Sequence, residues 1–87
     1  MAMNSSKGIF VKAEGQLAEL VKKTLMANGI KERDIASYDF EKLQKGSLIA
    51  FLHEKTASSL KLRIARVEEI KDGDLNLVQE KEIESAV

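Results

Sequence analysis

The hexapeptide Lys71–Asn76, KDGDLN, sets side-chain oxygens at alternate positions, Asp72, Asp74 and Asn76. That spacing opens a hand-type calcium loop. Such a loop also needs Gly at its sixth position and Glu at its twelfth. Counted from Asp72, those positions hold Leu77 and Ile83. The ligand set is incomplete, and the same letters read better as a tight turn, because an Asp-Gly pair readily takes the two positive φ angles of a type I′ hairpin.

His53 is the one histidine of the chain. A nucleophilic triad or a His-based metal site would need partners for it. Glu54 is adjacent, but neighbours on a strand point to opposite faces. There is no HExxH, no nucleophile elbow, and Gly8, Gly15, Gly29, Gly46 and Gly73 form no phosphate loop. The residues therefore predict a protein that is not an enzyme and that needs no metal or other cofactor.

The elements that must position these residues are legible in outline. Ile9, Phe10 and Val11 are β-favouring and lie between Gly8 and Gly15, which predicts a short strand. QLAELVKKTLMANG places Leu17, Leu20, Val21 and Leu25 on one stripe, with Thr24 inside it, which predicts a helix. Glu19 is spaced to pair with Lys23. Asn28-Gly29 stops the helix, with Ile30 as the apolar residue that follows such a stop. Ala36, Tyr38 and Phe40 alternate with polar residues, so a strand to about Tyr38 is expected, followed by about one helical turn capped by Asp39 and closed by Gly46. SLIAFLHE is continuously apolar at its centre and predicts a central strand covered on both faces. EKTASS is a loop. Two further strands flank Asp72-Gly73.

Centring the turn on Asp72-Gly73 fixes the pairing of those last two strands. Lys71 meets Asp74, Ile70 meets Leu75, Val67 meets Val78, Arg63 meets Glu82 and Leu62 meets Ile83. Each such pair is worth roughly 0.2–1 kcal/mol. In this register Val67 and Val78 lie on the face opposite Leu62, Ile64, Ile70, Leu75 and Leu77. Both faces of the ribbon then carry apolar side chains. A strongly twisted ribbon, a second subunit or a bulge near Ala65-Arg66 would each resolve this.

The expected fold is α+β: one long helix packed on a mostly antiparallel sheet of four or five strands, in the order β-α-β-(short helix)-β-β-β. The alternative is a small curled barrel of the last three strands with a helix. A chain of 87 residues makes one domain, with segments 1–7 and 84–87 expected to fray.

Composition narrows the function classes. Charged residues make up 32% and the formal net charge is +0, so the basic excess that marks most nucleic-acid binders is absent. There is no Cys, which fits a reducing compartment such as the cytoplasm. No apolar run approaches a membrane span, and MAMNSSKG lacks the apolar centre of a signal peptide. No membrane partner is expected. Glu80, Glu82 and Glu84 alternate, and charges of this kind commonly keep a strand from aggregating.

Two partner classes remain. The first is a second copy of the chain: a marginal core and apolar residues on both hairpin faces point to a homodimer, with Val67, Val78, Leu75 and Leu77 as contact residues. Another protein would use the same surface. The second, less favoured, is nucleic acid, held by Lys22, Lys23, Lys61, Arg63 and Arg66.

Overall fold

A computed structural model describes residues 8–86. Strand β1 (Ile9–Val11) leads into helix α1 (Gly15–Ala27), followed by β2 (Ile35–Ser37), β3 (Leu48–Lys55), β4 (Ser59–Lys71) and β5 (Asp74–Ala86). Short 3-10 turns at Glu32–Asp34 and Phe40–Lys42 flank β2. The five strands form one mixed sheet in the order β2-β1-β3-β4-β5. β1 runs parallel to both β2 and β3. The β3–β4 and β4–β5 pairs are antiparallel and much longer. This is the α+β fold expected from the sequence. The sheet stays open, with β2 and β5 at its edges, so the barrel alternative is not formed.

Helix α1 covers one face of the sheet. Val21 and Leu25 are fully buried against Ile9, Val11, Ala50, Leu60, Leu62, Ile64 and Ile83. The stripe sits later on the helix than its sequence suggests. Leu17 in the first turn is 43% exposed, while Thr24 is buried, its hydroxyl donating to the Leu20 carbonyl at 2.9 Å. The helix ends as its letters require. The Ile30 N–H reaches the Leu25 carbonyl and the Gly29 N–H reaches the Met26 carbonyl, with Gly29 at φ 94. That is a Schellman stop, with Gly29 supplying the left-handed residue. The expected Glu19–Lys23 pair does not form. Lys22 instead bonds Glu32 of the following turn at 3.1 Å.

The connection from β2 to β3 crosses the opposite face. Asp39 caps its 3-10 turn by accepting from the Glu41 N–H at 3.1 Å. Leu43 is buried there with Ile49 and Val67, and Phe10, Tyr38, Phe40, Phe51 and Leu75 pack around them. β1 therefore lies between two crossovers on opposite faces. Two successive crossovers of the same hand that run in opposite directions across the sheet must do this.

At the hairpin, Asp72 and Gly73 have φ 52 and 82, both positive, as a type I′ turn demands. Lys71 meets Asp74, Ile70 meets Leu75, Arg63 meets Glu82 and Leu62 meets Ile83, as expected. Val67 does not meet Val78. It pairs with Leu77, and Val78 pairs with Arg66. Register shifts between Val67 and Glu69 and between Ile64 and Ala65 leave Glu68 extra on β4 and Glu80 extra on β5. One bulge undoes the slip of the other, so pairings at both ends of the hairpin are unaffected. The tail beyond Glu84 is paired as far as Ser59↔Ala86.

Candidate interaction surface

Paired residues on neighbouring strands share a face. Following the register outward from the core therefore sorts the side chains. Leu62, Ile64, Arg66, Val78 and Ile83 lie on the helix face, and Ile49, Phe51, Arg63, Ala65, Val67, Leu77, Ile70 and Leu75 lie on the other. The bulge at Glu68 carries Ile70, and the bulge at Glu80 carries Leu75 and Leu77, onto the face of Val67, which answers the apolar surplus on two faces: most of it is gathered onto one.

Only part of that second face is covered. The segment 38–47 closes over Val67, whose N–H donates to the Ser47 carbonyl and whose carbonyl accepts from the Gly46 N–H, both at 2.8 Å. Val67 is 0% exposed, so its expected place in a contact between copies is not available. Beyond that segment no described residue covers the face. Phe51 and Leu75 are half-buried, and Leu77 is 40% exposed. Val78, 37% exposed, belongs to the helix face. Of the four residues expected to self-associate, the structure brings Leu75 and Leu77 together on the open face, buries Val67 beside them and places Val78 on the helix face.

Phe51, Ile49, Leu75 and Leu77 line a depression of about 350 Å³ that reaches Lys12 just past β1 and Leu17 on α1. One end of it lies just past the carboxyl end of β1, beside the first turn of α1. The Lys12 ammonium stands 5.4 Å from the centroid of the Tyr38 ring. Phe51, Lys12 and Leu17 were not among the contact residues expected from the sequence. The continuous apolar run of β3 gave no sign of which face would stay open.

The rim of this face carries both signs of charge. Lys61 pairs with Glu54 at 3.6 Å, and the Arg63 Nε lies 3.7 Å from Glu82, buried and without a hydrogen bond. Arg66 is on the other face, where its Nε donates to Glu80 at 2.8 Å and its Nη1 to Glu68 at 3.3 Å. The Glu80 carboxylate, bonded to it, and then Glu68 push the Arg66 guanidinium above its ordinary range. An arginine raised further stays charged throughout the neutral and alkaline range. Glu80 thus leaves the alternation with Glu82 and Glu84 expected for it.

The cations considered for nucleic acid are scattered. Lys22 and Lys23 are on the helix, Lys61 and Arg63 on the open sheet face and Arg66 on the helix face. Four of the five are held by carboxylates, leaving Lys23 without an ion pair among the described residues. They do not form one basic patch.

His53 is the extra residue at the β3 register shift between Leu52 and Glu54, and it is exposed. Among the described residues, no group of three or more His, Cys, Asp or Glu is placed to hold a metal ion. No helix among them is long and apolar enough to cross a membrane. The chain matches no protein-family model, and no curated protein or solved structure resembles it at a significant level.

Proposed function

We propose that this chain is a small, non-enzymatic interaction module that self-associates as a homodimer through the open face of its sheet. The observation that carries the reading is the apolar centre of that face, exposed Leu77 with half-buried Phe51 and Leu75, backed by fully buried Ile49 and Val67. Such a patch on a rigid sheet loses little side-chain freedom when it is covered.

A second copy fits it for electrostatic reasons. The net charge is +0, so identical copies do not repel as wholes. Around the apolar centre, Lys12, Lys61 and Arg63 stand among Glu54, Glu82 and Glu84. A two-fold contact sets a residue of one copy against a different residue of the other, so a rim of mixed sign can complement itself.

Sedimentation velocity from low micromolar to submillimolar concentration tests this. The expected result is a reversible monomer–dimer equilibrium that Leu77→Glu shifts to monomer. Met26→Glu, on the exposed side of the helix, serves as the control and leaves the equilibrium unchanged. A monomer at every concentration overturns the reading.

A further inference from the structure

The middle of the β4–β5 hairpin is bounded by two bulges that cancel. Between them Ala65, Arg66 and Val67 face Gln79, Val78 and Leu77, while the pairs on either side follow a single register. Closing both bulges would leave every outer pair in place. Only the middle would change: Val67 would meet Val78, Arg66 would meet Gln79 and Ala65 would meet Glu80. This closed register is the one the turn and the end pairs alone would dictate.

The two registers present different surfaces. Val67 is fixed from the β3 side by its bonds to Gly46 and Ser47, so the base of β4 cannot turn over. With the bulges closed, alternation runs unbroken from Leu62. Ile70, Leu75 and Leu77 would then lie on the helix face, and Val78 would join Val67 on the open one. A one-residue slip exchanges the faces of all side chains beyond it.

Two features tell the registers apart. Glu68 stands two residues from Arg66 and can reach it in either register. Glu80 reaches Arg66 only when it is bulged out, because in the closed register it lies opposite Ala65 on the other face. The 2.8 Å Arg66–Glu80 bond is therefore specific to the observed register. So is the packing of Leu75 against the cluster of Leu43, Ile49 and Val67.

We infer that β4–β5 is a two-register element, and that the Arg66–Glu80 pair selects the register that displays Leu75 and Leu77 on the open face. This makes the hairpin the regulator of the self-association surface; that consequence rests on the proposed function, whereas the two registers do not.

Cross-strand contacts in NMR spectra read the register directly. The wild-type protein is expected to show Val67 against Leu77. Glu80→Val removes the ion pair and puts an apolar residue where the closed register needs one, so the Val67–Leu77 contact is lost and a Val67–Val78 contact replaces it. Glu68→Gln leaves the wild-type pattern unchanged. If Glu80→Val keeps Val67 against Leu77 alone, the inference is overturned; if that variant fails to fold, Arg66→Met is read by the same criterion. Sedimentation of the same samples tests the consequence. A closed-register variant should associate about tenfold more weakly or worse, the loss expected when central apolar contacts are removed. A change of register with unchanged association overturns the regulatory link and keeps the register result. A wild-type monomer overturns the self-association reading and leaves the register result untouched.

Discussion

Leu62 and Met26 mark the two extremes of what one side chain contributes here. Leu62 is 0% exposed, pairs with Ile83 and Leu52, and sits under the helix. Met26 is 43% exposed on the far side of that helix. Leu62→Ala removes buried methyl groups and leaves a cavity in a small core with few side chains to refill it. It should cost about 2–5 kcal/mol. Met26→Ala exchanges one good helix former for another in water and should stay within about 0.5 kcal/mol. Urea denaturation of the two variants measures both. An equal loss in the two would mean that burial does not rank these side chains. Leu77 lies between the extremes. It is exposed enough to meet a partner, and it is positioned by a fully buried neighbour across the ladder, Val67.

At the scale of elements, stability turns on two glycines with positive φ. Gly29 at φ 94 closes the Schellman stop of α1, and Gly73 at φ 82 occupies the second central position of the hairpin turn. Neither would bring a Cβ against another atom, since nothing lies within 4 Å of the position a methyl would take. Gly29→Ala and Gly73→Ala should therefore each cost only the backbone penalty, about 1–2 kcal/mol. Thermal melts would detect it. A loss well beyond that range would require a steric cause that the structure does not contain. These same residues show what a sequence can disclose. The helix stop, the Asp39 cap, the I′ turn and the pairs at both ends of the hairpin depend on neighbours in sequence or on a register set by the turn, so local rules find them. A bulge near Ala65-Arg66 is one of the solutions the sequence offers, and a register shift falls between Ile64 and Ala65; the pairings of the middle were missed because a second bulge cancels the first, which leaves every end pair intact. What stabilises them is remote: Arg66 and Glu80 are fourteen residues apart. The open face was missed for a similar reason. Which face of β3 is left bare depends on the path of segment 38–47, and no alternation in β3 itself records that path.

Among the described residues, the molecule is a sheet with one face covered by a helix, the other half covered, and one long free edge at β5. It could be completed by another copy in two ways. Packing on the open face would cover Phe51, Leu75 and Leu77 while leaving the outer edge of β5 in water. Pairing along that edge would continue the ladder from one copy to the next. The edge is ill suited to this, because it carries the Glu80 bulge and the acids Glu82 and Glu84, and an identical strand would bring the same charges with it. Amide hydrogen exchange separates the two modes. In dilute solution the amides of Leu48–Ala50 in β3 and of β4 from Leu60 through Val67 should exchange slowest, since these stretches have backbone partners on both sides. The outward-pointing amides of β5 should exchange fastest. On concentration, face packing slows exchange at the hairpin tip, where opening would expose Leu75 and Leu77, and leaves the outward β5 amides fast. Edge pairing would instead protect every second amide of β5. Fast β5 amides together with a slowed tip are the expected result; alternating protection along β5 would move the contact from the face to the edge.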